Sequence, residues 1–193
     1  MKIVILERNS VGTDIDVDVF QDFGEVTSYR NTVKEDVVEK IRDAEIIIAN
    51  KCPLNETTLK DAPKVKLICE FATGYDNIDL TYCKSRGIQV CNVRDYSTPA
   101  VAQHTFALAL YLLEHLPHYD RYVKSGEYAA QDRFSNFDLP YTELQGKTWG
   151  IVGMGNIGRM VAKIAAAFGC RVIYYSTTGK NSVEGYEQVD FDT

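Results

Sequence analysis

The chain has 193 residues, enough for one large domain or two small ones. It is 45% hydrophobic and 25% charged, a composition that excludes disordered and low-complexity proteins. Its 21 basic and 27 acidic residues give a net charge of −6, so we do not expect a surface that binds nucleic acid by bulk electrostatics.

Short apolar runs rich in β-branched residues alternate with helical or irregular segments through the first half of the chain. Thr32 and Glu35 have the spacing of a capping box, which predicts a helix whose buried face carries Val37 and Ile41. A second helix, from about residue 79 to residue 86, should end at Gly87. Strands joined in this way imply a parallel α/β sheet. The five predicted strands are 2–6, 25–29, 46–49, 65–69 and 88–91.

The middle of the chain predicts a hinge followed by a long apolar helix. Thr98 and Pro99 are typical of a helix start, with Thr98 as the N-cap and the proline at the first helical position. Because the helix that follows is apolar almost all round, we expect it to be buried in a core or between domains or subunits. The predicted order is a hinge at 93–98, a helix at 100–116, an interruption at Pro117, a second helix ending at Gly126, and a loop at 127–139.

A G-x-G-x-x-G turn occupies residues 153–158, between a predicted buried strand at 147–152 and a predicted helix. Gly153 would allow the tight turn, Gly155 would let the backbone approach a pyrophosphate, and Gly158 would let the helix pack closely on the strand. Amides and the helix dipole at such a turn attract phosphate. The sequence therefore predicts a dinucleotide site, with a ligand-free glycine-rich turn as the alternative.

The residue after the next predicted strand, 171–175, helps to select the cofactor. An acidic residue at that place would bind the adenine-ribose hydroxyls and repel a 2′-phosphate. Ser176 is neutral, and Lys180 could approach a 2′-phosphate if its loop bends back. We therefore predict that NADP(H) is tolerated as well as NAD(H). In the alternative, Lys180 is a solvated loop charge.

The cysteines, the histidines and the apolar runs exclude several other classes. The five cysteines form no C-x-x-C pair, and the three histidines lack the spacing of a zinc site, so we expect reduced thiols and no metal. No apolar stretch approaches the roughly 20 residues that cross a bilayer, and charge follows Met1 too soon for a signal peptide. We therefore expect a cytoplasmic protein that contacts no membrane.

Three motifs together resemble the D-isomer-specific 2-hydroxyacid dehydrogenase family, over what would be the N-terminal three-fifths of its members. A further segment, 50–54, is similar to the branch that acts on glycerate, hydroxypyruvate and glyoxylate. The three motifs are ATGYDNID at 72–79, the segment 92–105 with its YSTPAVAQHT ending, and ELQGKT at 143–148 running into the glycine turn.

The resemblance implies a flavodoxin-like parallel-sheet substrate domain at 1–98 and the first part of a Rossmann NAD(P)-binding domain at 99–193. It places the substrate carboxylate on Thr73, Gly74, Tyr75 and Lys51. For Asp76 and Asn77 we favour a role as caps of the following helix over a catalytic role. The resemblance places the cofactor on Thr73, Thr105, Ser176 and the glycine turn, where Asn156 and Ile157 would direct their amides at the pyrophosphate.

The resemblance also implies that the catalytic groups are missing from this sequence. The family's acid–base histidine and glutamate, and its substrate-binding arginine, would lie beyond Thr193, and His104 and Arg94 are not substitutes. We expect a truncated dehydrogenase whose full-length relative transfers hydride between NAD(P)H and a small 2-oxo or 2-hydroxy acid of the hydroxypyruvate or glyoxylate type. We also expect a homodimer formed through the helix at 100–116. The alternative is a non-catalytic nucleotide-binding or oligomerising remnant, and turnover is the measurement that separates the two.

Overall fold

The computed structural model describes residues 1–179 and 182–192, and it divides into two units, Met1–Tyr96 and a second that begins at Ser97. No helix in these two described stretches is long and apolar enough to cross a membrane.

The first unit is built on a five-stranded sheet in which every neighbouring pair is parallel. The strand order, β2-β1-β3-β4-β5, is that of flavodoxin-like folds, so the predicted parallel α/β sheet is confirmed. The strands are β1 (Lys2–Ile5), β2 (Glu25–Ser28), β3 (Ile46–Ala49), β4 (Leu67–Glu70) and β5 (Gln89–Asn92).

Successive residues of the central strands supply two apolar layers, one on each face of this sheet. Ile47 on β3 packs with Ile68 on β4 in the larger layer, whereas Ile48 packs with Ile3 and Ile5 in the smaller one. All five side chains are at most 2% exposed. Burial on both faces is what a parallel strand requires, and it explains why these runs are apolar without alternation.

Three short helices complete the first unit: α1 (Val37–Ile41), α2 (Glu56–Leu59) and α3 (Leu80–Ser85). The predicted capping box at Thr32 and Glu35 is wrong. The Thr32 hydroxyl instead donates to the Leu6 carbonyl at 2.6 Å and accepts from Lys40, and a 3₁₀ turn, Lys34–Asp36, precedes α1. The Thr32 hydroxyl therefore bonds to a distant carbonyl of the sheet instead of capping the helix that follows it. The capping box that does form is at Asn55, whose side chain accepts from the Thr58 amide at the start of α2.

Among the residues that the structure describes, the second unit has four helices, and the first of them is exposed over much of its surface. In α4 only Ala102 and Phe106 are buried, while Leu108 is 53% and Leu112 69% exposed. Within this unit the neighbours of α4 cover only one stripe of the helix, so burial in a core holds for that stripe alone, and burial between domains or subunits stays a prediction. The helices are α4 (Thr98–Leu113), α5 (Leu116–Lys124), α6 (Glu127–Ala130) and α7 (Asn156–Ala167).

The boundaries of these helices also differ from the prediction. Thr98 is the first helical residue of α4 rather than its N-cap, and the preceding Ser97 makes no side-chain capping bond. The break falls at His115, which adopts a left-handed φ of 51°, while Pro117 lies inside the first turn of α5. Helix α6 occupies part of the segment predicted as loop.

A three-stranded parallel sheet, in the order β6-β7-β8, supports α7 on one face. Phe106 from α4 stacks on Trp149 of β6 with ring centroids 4.7 Å apart. On β6, however, Val152 is 69% exposed, so the expected full burial of this strand is wrong. Only one of its faces has a covering layer among the described residues. The strands are β6 (Thr148–Val152), β7 (Arg171–Tyr175) and β8 (Glu187–Gln188).

Candidate functional site

The glycine turn of the second unit connects the end of β6 directly to the start of α7. The Gly153 amide donates to the Tyr175 carbonyl at 2.9 Å, which anchors the turn to the neighbouring strand. Gly153 has a φ of 95°, a conformation that side chains disfavour. Met154 is 1% exposed and fixes the turn in the core, so the turn is held at both its backbone and its side chain.

The other two glycines of the turn have opposite surroundings. A β-carbon on Gly158 would lie 2.2 Å from the Gly153 carbonyl oxygen and 3.4 Å from the Ile151 side chain. A β-carbon on Gly155 would meet nothing within 4 Å. Gly158 is therefore needed for packing inside the protein, whereas the space at Gly155 is open to an incoming group.

The N-terminus of α7 faces this open space. Gly155 is the N-cap of α7 and accepts from the Arg159 amide at 2.9 Å, and both Asn156 and Ile157 are exposed. The amides of a first helical turn point away from the helix and, with the helix dipole, favour an anion. A pyrophosphate fits this arrangement, because a backbone without a β-carbon allows its close approach.

Arg159 is a feature of the turn that the sequence reasoning missed. Its side chain is exposed, and Nε donates to the Met154 carbonyl at 3.3 Å. The guanidinium therefore both braces the turn and places a positive charge beside the N-terminus of α7. The sequence could have indicated this role, because Arg159 directly follows Gly158, the last glycine of the motif.

The residue predicted to select the cofactor directly follows β7. Ser176 is 7% exposed, and its carbonyl accepts from the Gly179 amide at 3.1 Å, which closes a turn. Thr177 and Thr178, the next residues, are exposed. Lys180, predicted as a partner for a 2′-phosphate, lies outside the described residues.

In the first unit, the loop that carries Lys51 is held by one carboxylate. Glu7 follows β1, and its Oε2 accepts from the amides of Asn50 and Lys51 at 2.8 Å each and from that of Cys52 at 3.1 Å. The Lys51 side chain is exposed and makes none of the ion pairs found among the described residues. The loop is thus rigid at its backbone, while its ammonium group is open to solvent.

The exposed turn Thr73-Gly74-Tyr75 is tied to the end of β5. The Thr73 hydroxyl donates to the Val93 carbonyl at 2.9 Å, and the Asn92 side-chain amide donates to the Thr73 carbonyl at 2.7 Å. Within residues 1–179 and 182–192, the backbone amides of Gly74 and Tyr75 find no acceptor. Consecutive unpaired amides on a braced turn form a concavity suited to an anion such as a carboxylate.

The turn and the Lys51 loop are joined through Asn77. Its side-chain amide donates to the Cys52 carbonyl at 3.0 Å, and its own carbonyl accepts from the Leu54 amide at 2.9 Å. The predicted capping role of Asp76 and Asn77 is wrong, because the cap of α3 is Asp79, which accepts from the Tyr82 amide at 2.9 Å. Asn77 bridges the two loops because it faces inward, towards the carboxyl ends of β3 and β4.

Glu70, at the end of β4, is a second residue that the sequence reasoning missed. It is only 2% exposed, its Oε2 accepts from Asn77 at 3.3 Å, and its Oε1 is buried without a partner among the described residues. Burial raises the pKa of this carboxyl to about 7; the bond from Asn77 opposes the rise and the Glu7 carboxylate adds to it. The alternation of side chains along a strand was the signal for its burial, because Glu70 lies two residues after the buried Ile68 and therefore on the same face of β4.

The remaining candidates lie on α4 and on the connection that precedes it. The Thr105 hydroxyl donates to the Val101 carbonyl at 2.8 Å, one helical turn earlier. His104 and Arg94 are both exposed. His104 therefore lies on the part of α4 that its neighbours in the second unit leave uncovered.

Thiol and metal chemistry is limited in the described part of the chain. No group of three or more His, Cys, Asp or Glu side chains there could hold a metal ion. All five cysteines are free thiols. Burial, followed by the nearby Glu7 carboxylate, raises the pKa of Cys52 to about 12, so this thiol stays protonated near neutral pH.

Comparison with known proteins gives matches over almost all of the chain. A family model described as the D-isomer specific 2-hydroxyacid dehydrogenase catalytic domain matches residues 3–189. A hydroxypyruvate reductase of Blautia hydrogenotrophica is 33% identical over 188 residues, which are 95% of this chain and 58% of the relative.

Two solved structures have the same fold. The D-lactate dehydrogenase of Aquifex aeolicus, solved with NAD and lactic acid, gives a TM-score of 0.80 at 30% identity, covering all of this chain and 56% of that one. An acyclic imino acid reductase in complex with NADPH and D-Arg gives 0.81 at 26% identity, covering 98% and 60%. The chain therefore spans between 56% and 60% of the length of these three proteins.

Proposed function

Because the chain belongs to the D-isomer-specific 2-hydroxyacid dehydrogenase family, we propose that it supplies the substrate unit and the first part of the nucleotide unit of a D-2-hydroxyacid dehydrogenase. The reaction is hydride transfer between NAD(P)H and a small 2-oxo or 2-hydroxy acid of the hydroxypyruvate or glyoxylate type. The substrate unit corresponds to residues 1–98 and the partial nucleotide unit to residues 99–193. The observation that carries this proposal is the open space at Gly155, at the N-terminus of α7.

The cofactor in this proposal is a nicotinamide dinucleotide, which accepts or donates the hydride. Gly155, Asn156 and Ile157 hold its pyrophosphate through backbone amides, and Arg159 adds a positive charge at the same place. Thr73 and Thr105 lie near the nicotinamide end in the family arrangement. Ser176 leaves the ribose site without a carboxylate, which supports the use of NADP(H) as well as NAD(H). Support also comes from the two similar structures that contain NAD and NADPH.

The substrate carboxylate in this proposal binds to the turn Thr73-Gly74-Tyr75. Its unpaired amides donate to the carboxylate oxygens, and the Lys51 ammonium compensates the remaining charge. Glu7 and Asn77 contribute by holding the two loops at fixed positions rather than by touching the substrate. A small 2-oxo acid suits such a site because its carboxylate is its largest charged group.

The acid–base histidine, its glutamate and the substrate-binding arginine are assigned to no residue of this sequence. His104 is exposed on α4 and makes no hydrogen bond to a carboxylate within the described residues, so nothing there pairs it as the family chemistry requires. The 193 residues alone should therefore bind nucleotide without turnover. The second candidate function, a non-catalytic nucleotide-binding or oligomerising protein, is favoured by the same observation.

A homodimer through α4 is the assembly that we propose. Leu108, Tyr111 and Leu112 form an apolar stripe on α4, with side chains between 49% and 69% exposed. A stripe of this kind on a sixteen-residue helix is typical of a subunit contact.

The test of the proposal is to measure binding and turnover separately on the 193-residue chain. Titration with NADH and with NADPH, followed by nucleotide fluorescence, should show saturable binding that Gly155→Ala weakens. Oxidation of NAD(P)H with hydroxypyruvate, glyoxylate or pyruvate should be undetectable. Absence of nucleotide binding by a folded chain would refute the site, and robust turnover would refute the placement of the catalytic groups.

A further inference from the structure

Cys69 and Cys91 lie directly opposite each other on adjacent strands of the first unit. Cys69 on β4 and Cys91 on β5 are register partners in a parallel ladder. Neighbouring strands lie about 4.8 Å apart, and side chains at paired positions leave the sheet on the same face. A disulfide requires Cα atoms roughly 4.4–6.8 Å apart, so this backbone already holds the two residues at a bridging distance.

The surroundings of the two thiols differ. Cys69 packs partly buried against the smaller apolar layer, which contains Ile3, Ile5 and Ile48. Cys91 is exposed, because β5 is the edge strand of the sheet. One thiol is therefore open to a reagent in solution, and the other is sheltered beside it. The other three cysteines, Cys52, Cys83 and Cys170, are all buried.

We propose that Cys69 and Cys91 form an oxidisable dithiol site, with Cys91 as the thiol that attacks and Cys69 as the thiol that resolves. The co-substrate is a low-molecular-weight disulfide of the glutathione type. The site is separate from the hydride chemistry of the proposed function and does not depend on it.

The reaction has two exchange steps. The Cys91 thiolate attacks one sulfur of the small disulfide, forms a mixed disulfide and releases one small thiol. The Cys69 thiolate then attacks the Cys91 sulfur, forms the Cys69–Cys91 bond and releases the second small thiol. The protein loses two hydrogen atoms, and the small disulfide gains them as two thiols.

Burial of Cys69 governs the pH dependence of the second step. It raises the pKa of this thiol, and the neighbouring Cys91 raises it further, so little Cys69 thiolate is present at neutral pH. The second step therefore accelerates as the pH rises. A transient mixed disulfide on Cys91 should precede the intramolecular bond.

Oxidation would act next to the exposed turn of the substrate unit. The residue after Cys91, Asn92, donates to the Thr73 carbonyl, and the Val93 amide donates to the Ala72 carbonyl at 3.0 Å. Because the backbone is already at a bridging distance, closing the bond needs mainly side-chain rotation, and the hydrogen bonds that tie the Thr73 turn to β5 are the nearest contacts that would register any residual strain.

The experiment is to treat the native chain with oxidised glutathione and to follow its intact mass and tryptic map with time. We expect an early adduct of one glutathione, followed by a species lighter than the starting chain by two hydrogen atoms, which dithiothreitol reverses. The linked peptides should be 67–84 and 87–94, with fragmentation placing the bond at Cys69. A chain that stops at the adduct, or that forms an intermolecular bond on a non-reducing gel, overturns the proposal.

Three variants and one reagent complete the test. Cys69→Ser should keep the glutathione adduct on Cys91, Cys91→Ser should give no rapid adduct, and Cys83→Ser should behave as the unmodified chain. A trivalent arsenical, which needs two adjacent thiols, should bind the native chain once and protect the two peptides from alkylation. This measurement tests the proposal even if a variant fails to fold, and protection of any other cysteine pair would contradict it.

Discussion

The Gly153 carbonyl oxygen lies 2.2 Å from the position that a β-carbon on Gly158 would take. The oxygen is a backbone atom and the backbone of Gly158 fixes the position of the added β-carbon, so neither can move away without distorting the connection between β6 and α7. Gly158→Ala should therefore destabilise the second unit by about 3 kcal/mol or more, as measured by chemical unfolding.

Gly155→Ala is the matched control, since the added β-carbon meets nothing within 4 Å. We expect a change in stability of about 1 kcal/mol or less and a loss of NADH affinity of about tenfold or more, because the methyl group occupies the space of the pyrophosphate. Unchanged affinity in this variant would show that no phosphate approaches the backbone here.

Glu70 should make the stability of the first unit depend on pH. Its pKa is about 7 in the folded chain against 4.5 as the ordinary value, so the folded state holds a proton that the unfolded state releases between these pH values. The stabilisation is complete below pH 4.5 and falls by about 3 kcal/mol as the pH rises through 7. Glu70→Gln, which cannot ionise, should lack this fall when urea unfolding is repeated from pH 5 to pH 8. An equal fall in both proteins would assign it to another group.

Glu7 should hold the Lys51 loop through its hydrogen bonds from three backbone amides. Glu7→Gln replaces one acceptor oxygen by a donor that faces amides, so we expect a loss of about 2 kcal/mol in the free energy of unfolding. Glu35→Gln is the control; this carboxylate is exposed, and its replacement should cost about 0.5 kcal/mol or less. Equal effects of the two substitutions would argue against a bracing role.

Ser176→Asp should change the choice of cofactor. A carboxylate at the end of β7 repels a 2′-phosphate, so NADPH affinity should fall by about tenfold, or about 1.4 kcal/mol, with a much smaller change for NADH. Because Ser176 is 7% exposed, unfolding of the variant must be measured alongside. Thr177→Asp, at the exposed neighbouring residue, tests whether position rather than charge alone decides the effect. Parallel losses for both nucleotides would contradict the proposed contact.

The exposed stripe of α4 should control self-association. Leu112 is 69% exposed, so Leu112→Glu should cost the isolated unit little but weaken a dimer by about tenfold or more in sedimentation equilibrium. Val19→Glu alters a residue that is 48% exposed in the first unit and should leave the association unchanged. A monomeric unmodified chain at micromolar concentration would refute the dimer.

The sheet and the glycine turn could be predicted because their signals are local. Runs such as 46–49 and 171–175 are apolar and β-branched or aromatic, and both form strands within those bounds. The turn at Gly153 needs a left-handed φ, which only a glycine adopts without strain. By contrast β8, only two residues long, has no apolar pattern and exists because β7 offers it a partner.

The parts that the sequence did not predict depend on distant partners. The Thr32 hydroxyl bonds to Leu6, twenty-six residues away, instead of capping its own helix. Glutamate is usually found at the surface, yet Glu70 is buried. It lies two residues after Ile68 and so shares the buried face of β4, and the Asn77 side-chain amide donates to it there. Which side chains of α4 are exposed depends on the elements that pack against the helix. The amino-acid composition of the helix does not specify those elements.

Parallel pairing in the first unit has a consequence for how the chain folds. Lys2 pairs with Glu25 in the first ladder and Ile3 with Ile46 in the central one, so the central ladder closes only after about forty intervening residues have been brought together. No hairpin is available to start the sheet, and loop closure must be completed before any strand pair stabilises it. During synthesis on the ribosome, one edge of β1 can pair with β2, but its other edge stays open until β3 has emerged, and an open apolar strand edge is the kind of segment that chaperones bind.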